Sequence, residues 1–515
     1  MMTKRHLFLL LSIICMTAQA QSVTDGLHYD AEIQTTFGNG DYCPLWLNAN
    51  KYGLSSIKSE NGYILAGVTR DAATDSLRKW KRGYGVEIAG AYNQSSSFIV
   101  QQAYMEFIHK KFNITIGAKE HPMEMKNQEL SSGGMTFGIN ARPIPEVRVS
   151  IPEYIDLRFT KDWIAVKGLL SYGMFTDSRW QKHWVGENLR YTDGQLYHSK
   201  AIYFRNGNEK KFPLIVEFGL ETATLFGGTA YNVKNNNEYL TLKTNNLLKS
   251  AWHALFPGGK DATDAQHPNK EGDWVGSLML SASWNFKSWK IRAYMDHFFE
   301  DNSALFFTGN SGFKTGDEWK ERKSVLDVTG YKLKDGLFGM EITLPHNPIA
   351  QSFVYEYIYT KYQSGPVYHE HTPEVADNVF GVDNYYNHSV TTGWQHWGQA
   401  LGNPLFTAPL YNSNHELAFA NNRFIAHHFG LNGNPIPQLH YRALLTYQES
   451  WGTYAKPYDD IKYNTSALVE VTYTPRVFLQ FRGLSFTAAL GMDHGSQYGN
   501  NTAMQITIRK IGLLR

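Results

Sequence analysis

Trp274-Val275-Gly276-Ser277-Leu278-Met279-Leu280-Ser281-Ala282-Ser283-Trp284-Asn285-Phe286 runs through Lys287-Ser288 into Trp289-Lys290-Ile291-Arg292-Ala293-Tyr294-Met295-Asp296-His297-Phe298-Phe299-Glu300. The stretch reads as two strands of one wall joined by a tight turn. Trp274, Leu278, Leu280, Ala282, Trp284 and Phe286 fall on one side of a period-two pattern, and Ser277, Ser281, Ser283 and Asn285 on the other. The first face is oily and bounded by tryptophan; the second is small and hydroxylic. On a strand rising about 3.3 Å per residue and tilted by about 40°, Trp274 and Trp284 stand about 25 Å apart along a barrel axis, the height of an outer-membrane apolar band with its aromatic girdles. After the turn, Trp289, Ile291, Ala293, Met295 and His297 continue one face, while Lys290, Arg292, Tyr294 and Asp296 form a polar one. A single hairpin of this kind also suits a soluble sandwich, so recurrence decides.

The pattern recurs along the chain. Tyr84, Val86, Ile88, Gly90 and Tyr92 alternate with Gly85, Glu87, Ala89, Ala91 and Asn93, and a short polar turn leads to a partner strand from Phe98 to His109. Phe353, Tyr355, Tyr357 and Tyr359 face away from Glu356, and Leu439, Tyr441, Ala443, Leu445 and Tyr447 alternate with His440, Arg442, Thr446 and Gln448. About 16–18 such segments, spread evenly with no break in composition, predict an all-β chain: a single transmembrane outer-membrane β-barrel of antiparallel strands.

Composition supports that class. The 515 residues include 31 Tyr, 29 Phe, 13 Trp and 44 Gly, which fits girdles and tight turns. Beyond the amino terminus no stretch has the roughly 18 apolar residues of a membrane helix, and mean hydropathy is −0.39. A barrel with a polar lumen needs neither. The formal charge of +2 gives no sign of a nucleic-acid partner. Lys4, Arg5 and His6, the apolar run Leu7 to Met16, and Ala18-Gln19-Ala20 have the layout of a cleaved signal peptide over residues 1–20, leaving 21–515 as the barrel. Removal of Cys15 with that segment leaves Cys43 alone, a lone thiol read as a buried bystander.

One segment breaks the period. Between residues 238 and 256, Leu240, Leu247, Leu248, Ala251, Trp252 and Leu255 share a helical face, with Asn236 or Asn237 as a cap and Pro257-Gly258-Gly259 as a stop. The expectation is a small helical plug in the lumen or an element packed at the barrel end, the plug being preferred. The connections 174–200, 226–273, 301–336 and 362–414 are too long for hairpin turns, and loops of this kind carry function.

Two of these loops hold the candidate chemistry. Residues 362–414 contain Tyr385, Tyr386, Trp394, His396 and Trp397; residues 174–200 contain Trp180, His183 and Trp184. Flat aromatic faces beside amides and guanidinium stack on sugar rings and hydrogen-bond their hydroxyls, so these side chains are the candidate glycan contacts. The competing reading is that the same aromatics only fold the loops onto one another. Glu370, Glu374, Asp377 and Asp383 offer carboxylates for glycoside hydrolysis, but a catalytic pair is defined by separation in space. His369 and His371 lack a clear third ligand, so no metal is expected, and there is no Walker motif, nucleophile elbow or zincin motif.

Pro44-Leu45-Trp46-Leu47-Asn48-Ala49-Asn50-Lys51-Tyr52-Gly53, Ala141-Arg142-Pro143-Ile144-Pro145, Ser178-Arg179-Trp180-Gln181 and the run from Gly393 to Phe406, in this order over nearly the whole mature chain, resemble the capsule assembly Wzi family in its Bacteroidetes form. The resemblance implies an outer-membrane barrel of roughly eighteen strands with helical material at one end. It also implies a lectin-like, non-catalytic role in assembling or anchoring capsular polysaccharide or exopolysaccharide. Separately, the expectation is a monomer with outer-membrane lipid around the wall and no cofactor. A sugar or ion channel and a surface glycan hydrolase are the alternatives. The chain departs from the usual barrel ending in closing on Ile508-Arg509-Lys510-Ile511-Gly512-Leu513-Leu514-Arg515 without a terminal aromatic, although Met504, Ile506 and Ile508 alternate as a closing strand.

Overall fold

A computed structural model describes residues 25–235, 238–256, 272–300, 334–367, 381–476 and 482–514, with the backbone of 307–309 and 325–327. The signal-peptide segment, the helix cap and stop, most of 301–336, and Glu370, Glu374, Asp377, His369 and His371 lie outside the described residues. The wall is built from β1 (Leu27–Asn39), β2 (Asn61–Arg70), β3 (Trp80–Tyr92), β4 (Phe98–His109), β5 (Phe112–Ala118), β6 (Glu146–Asp156), β7 (Ile164–Met174), β8 (Leu196–Asn206), β9 (Leu214–Phe226), β10 (Asp273–Asn285), β11 (Lys290–Glu300), β12 (Gly336–Thr343), β13 (Ser352–Tyr359), β14 (Phe424–Ile436), β15 (Leu439–Gly452), β16 (Pro457–Tyr473), β17 (Leu484–Gly495) and β18 (Asn501–Leu513). Each pairs antiparallel with its sequence neighbours, and β18 returns to β1 with Ile508 opposite Ile33, so the 18-stranded sheet closes and no wall strand is an edge. No helix among the described residues is long and apolar enough to cross a membrane.

The hairpin read first in the sequence is β10 and β11, paired with Trp284 opposite Ile291 and Leu278 opposite His297. Leu280 points outward and is exposed, whereas Ser277, Ser281 and Ser283 are buried in the lumen. The lumenal hydroxyls pair locally: Ser281 Oγ donates to Glu217 Oε2 at 3.1 Å, and Ser277 Oγ lies 2.8 Å from Thr136 Oγ1. The same division holds around the wall. Ile64, Val86, Val147, Phe218, Leu445, Val469, Leu490 and Met504 are exposed on the outside. At the short-turn end Phe286 stacks on Trp289 at 4.0 Å, and Phe212 meets Trp284 edge-on at 5.5 Å, forming part of one girdle.

All the long connections leave one end of the barrel, and β1 begins and β18 ends at the other. Three of these connections fold inward and fill the lumen. In residues 40–60 the short helix α1 (Leu45–Asn48) is wholly buried; Trp46 Nε1 donates to Thr446 Oγ1 at 3.0 Å, and Leu45 N to Asp493 Oδ2 at 3.0 Å. From residues 119–145, Lys126 Nζ reaches Asp296 Oδ2 at 2.6 Å, while Ser131 Oγ and Ser132 N both donate to Glu356. From 381–423, Tyr386 OH donates to Met135 O, and Trp394 Nε1 donates to Thr136 O at 2.9 Å. Charges this deep persist because each has a partner within the wall. Cys43 is buried in the same mass, which pushes its thiol up to about 12, in keeping with an inert side chain.

The plug is therefore loop-built, which corrects the expectation for residues 238–256. Glu238–Lys243 is a strand, and the helix, α3, covers only Leu247–Leu255. It lies outside the wall, against β8 and β9, where its carbonyls meet Tyr172 and Lys200 at outward-facing positions. The helical period was correct, but periodicity does not say which side of a wall receives the apolar face.

Candidate functional site

At the long-loop end a cleft of about 380 Å³ opens between residues 42–58, 93–95, 180–184 and 410–415. That size is within the range of about 300–1,000 Å³ for ligand sites. Its aromatic lining comes from Trp180, Trp184, Tyr42 and Tyr411, and its polar lining includes Asn93, Gln94, Asn412 and His415. One tryptophan pair is placed by helix spacing: α2 (Ser178–Trp184) puts Trp180 and Trp184 four residues apart, so their rings stack at 5.3 Å. Trp184 also stacks on His415 at 5.0 Å with 13° between planes, and its carbonyl accepts from His415 Nδ1 at 2.9 Å.

The hairpin of 395–400 supplies the third tryptophan. Gln395–His396 pairs with Gln399–Ala400, leaving Trp397 and Gly398 as a two-residue turn with φ of 56° and 79°. Positive φ is strained for a bulky residue, and here it is held by the surroundings: Trp397 N donates to Asp177 Oδ2 at 2.9 Å, and Nε1 to Thr176 Oγ1 at 3.2 Å. The next position must be glycine, because a Cβ on Gly398 would lie 2.8 Å from Trp180 Cη2 and 2.7 Å from Leu410 Cγ. Trp397 and Trp180 thus approach to 5.9 Å. Beneath Trp397 the Arg142 guanidinium sits 4.4 Å from the ring centre and donates from Nη2 to Ser95 Oγ at 2.9 Å. Burial pulls that guanidinium down to about 10, and it stays charged at neutral pH.

The sequence-predicted residues do not share one fate. Trp180 and Trp184 line the cleft, and Trp397 packs beside Trp180 without lining it. Tyr385, Tyr386, Trp394 and His396 are buried to within 1% of exposure, which corrects the expectation that they contact glycan: they pack the plug. Tyr385 OH donates to Asp335 Oδ2 at 3.1 Å, Tyr386 stacks on Phe406 at 3.9 Å, and His396 Nδ1 lies 2.9 Å from Arg142 O. Burial also holds the His396 imidazole below its usual range, so it is neutral. His183 is exposed on α2 and does not line the cleft. Sequence reasoning missed Tyr42, Gln94, Tyr411 and His415. Tyr411 and His415 fall within or just beyond the expected loop, whereas Gln94 comes from a short turn and Tyr42 from the 40–60 connection, which was not among the loops singled out.

Gln94 has a distinctive state within the lining: both Nε2 and Oε1 are inaccessible and have no hydrogen-bond partner in the protein. A buried amide left open in this way costs about 1–3 kcal/mol, unless a ligand or water satisfies it. Two further cavities differ in character. One of about 600 Å³ lies at the short-turn end, where Arg292 pairs with Glu341 and His440 with Glu129; one of about 330 Å³ lies inside the wall beside Glu120, Arg148 and Trp394. Among the described residues no group of His, Cys, Asp and Glu is placed to hold a metal ion. Asp383, the described member of the carboxylate set, accepts from Ser364 Oγ at 2.7 Å and does not line the cleft.

No protein-family model and no curated protein matches this chain. Solved structures do. Wzi of Escherichia coli, described as an outer-membrane protein involved in group 1 capsule assembly and a carbohydrate-binding β-barrel, is similar with a TM-score of 0.52 and 10% identity, over 99% of this chain and 89% of that one. OccD3 of Pseudomonas aeruginosa has a TM-score of 0.45 and 10% identity over 97% of this chain and 94% of that one. At such identity the likeness to Wzi speaks for the fold alone: this chain has the architecture of an outer-membrane β-barrel.

Proposed function

We propose that this chain sits in the outer membrane with its long loops outside the cell, and that the rim cleft binds capsular polysaccharide or exopolysaccharide without cleaving it, as a non-catalytic member of the Wzi family. Bacterial barrels keep short turns on the periplasmic side, which would place the cleft in the medium where surface glycan lies. The observation that carries the reading is the cleft itself: stacked indoles at its wall beside an amide with neither its donor nor its acceptor used. Sugar rings offer an apolar face to the indoles and hydroxyls to the polar lining of Asn93, Asn412 and His415, and a chain of repeating sugars presents both many times over. The described lining contains no carboxylate, which supports holding the glycan over hydrolysing it. The buried mass of Trp46, Leu130, Met135, Tyr386 and Trp394 within the lumen favours a binding protein over a channel.

The test is binding of purified, detergent-solubilised protein to polysaccharide extracted from the native host's surface, with reducing ends assayed in the same tubes. Saturable binding with no new reducing ends is expected. Absence of binding, or binding accompanied by chain cleavage, overturns the proposal.

A further inference from the structure

The helix α3 sits where a barrel wall ordinarily meets lipid alone. Its inner face is small: Ser250 and Ala254 are buried against β8 and β9. The wall beneath it is unusual, because outward positions there are polar. His198, Thr222 and Thr224 are buried, with Tyr172 beside His198 at a ring separation of 4.4 Å, whereas the outward positions next to them, Leu170, Ile202, Phe204 and Phe218, are exposed and apolar. Tyr172 OH donates to Ala251 O at 2.8 Å, and Lys200 Nζ donates to Ala254 O at 3.4 Å and to Leu255 O. Two wall side chains therefore satisfy the carbonyls at the helix end, and the lysine complements the dipole there. At the other end Asn246 Oδ1 caps Lys249 N at 3.2 Å. The helix is clamped to the wall at both its face and its end.

Its outer face is apolar. Leu248, Trp252 and Phe256 fall at successive turns and are 85%, 60% and 55% exposed, with Leu247 beside them and the rings of Trp252 and Phe256 4.7 Å apart. An exposed apolar stripe on a helix in water would be a liability; here it continues the exposed apolar surface of Leu170, Met174, Ile202 and Phe204 on the same outer wall. Lys243 and Lys249 are exposed near the stripe, where lipid headgroup phosphates would lie. We infer that α3 is an interfacial helix: it screens a polar patch of the outer wall and buries Leu248, Trp252 and Phe256 among the acyl chains of the outer leaflet, fixing the rim at a set height above the membrane. The inference rests on the outer-membrane placement proposed above, and it adds a lipid-binding element that the barrel wall does not require.

The test uses the chain from residue 21 to 515 in vesicles of phosphatidylethanolamine and phosphatidylglycerol, labelled with the environment-sensitive dye NBD at Leu248→Cys, Ile202→Cys on the bare wall, or Asn500→Cys in a rim turn. The native chain, whose Cys43 is buried, gives the background. Dye at 202 reports whether the wall is in lipid, and dye at 500 reports water. The expected result is that dye at 248 is quenched several-fold more by nitroxide lipids labelled near the headgroup than by aqueous iodide. If 202 is lipid-quenched while 248 follows 500 in responding to iodide, the helix face is in water and the inference falls while the membrane placement stands. Concentration-dependent pairing of 248 with another copy also overturns it. Iodide quenching at 202 overturns the placement itself.

Discussion

The plug and the rim cleft are made from the same residue types, partly from one hairpin, yet their aromatic rings have opposite fates. Trp394 and Trp397 are separated by Gln395 and His396; the first is enclosed, and the second stands half-buried at a strained turn beside Trp180. The difference lies in their partners. Trp394 Nε1 donates to Thr136 O, its ring meets Tyr197 at 5.9 Å, its amide donates to Tyr386 O at 2.8 Å and its carbonyl accepts from Leu401 N at 3.0 Å, so all its polar groups are paired within the protein. At the rim the indoles touch one another on one side, and the amide of Gln94 touches nothing polar. A residue type that suits glycan binding is therefore informative only once its surroundings are known. Satisfied aromatics hold the plug, and the unsatisfied lining is where a ligand can add contacts.

The comparison is tested most forcefully from the plug side. Trp394→Ala removes a fully buried ring and strands Thr136 O, a change that costs about 3–5 kcal/mol in packed interiors. The expected outcome is a clear fall in the temperature at which the folded, fast-migrating form is lost on semi-native gels, together with a rise in planar-bilayer conductance as the loosened plug admits ions. If stability and conductance stay at native values while glycan binding disappears, Trp394 belongs to the site after all and the division between plug and rim is wrong.

The rim should respond in the reverse sense. Trp180→Ala combined with Trp184→Ala leaves the plug and wall contacts in place and removes the stacking platform. Host polysaccharide binding should weaken at least about tenfold, equivalent to about 1.4 kcal/mol, with a thermal transition close to native. Unchanged affinity would assign these indoles to loop packing and move the search to the cavity beside Glu120 and Arg148.

How much of this was legible beforehand follows from which interactions are local. The wall was, because alternation is a property of consecutive residues: the faces of β10 and β11 were readable from Trp274, Ser277, Leu280 and Tyr294 before any partner strand was known. The rim was half legible. The residue types of Trp180 and Trp184 marked their loop, but the helix that sets them on one face was not read from the sequence, and the apposition of Tyr42, Gln94 and Tyr411 depends on how distant connections meet, which no local pattern records. The burial of Tyr385, Tyr386 and His396 was hidden for the same reason: their enclosing partners, Met135, Arg142 and Asp335, come from other connections. In α3 the period showed a helix, while its place on the outer wall depended on Tyr172 and Lys200, two residues of other strands.

The smallest expected effect is the most discriminating, because plug-like and rim-like behaviour predict opposite signs for one substitution. Gln94→Leu keeps the volume of the side chain and removes both amide groups. If no ligand uses the amide, deleting groups that have no protein partner relieves a desolvation penalty, so stability rises by about 1 kcal/mol and glycan affinity is unchanged. If sugar hydroxyls complete the amide, the same rise in stability is accompanied by a loss of affinity of about three- to tenfold, since the ligand's hydroxyls lose their partner on entering the cleft. Thermal transitions and binding isotherms measured on the same preparations separate the cases. We expect the second, a variant that folds better and binds worse, because Gln94 lines the cleft beside the stacked indoles and a rotation of its side chain brings the enclosed, unpaired amide to a ligand. A variant less stable than native would mean that the amide has a structural role, and the rim would then be packed by the same rule as the plug.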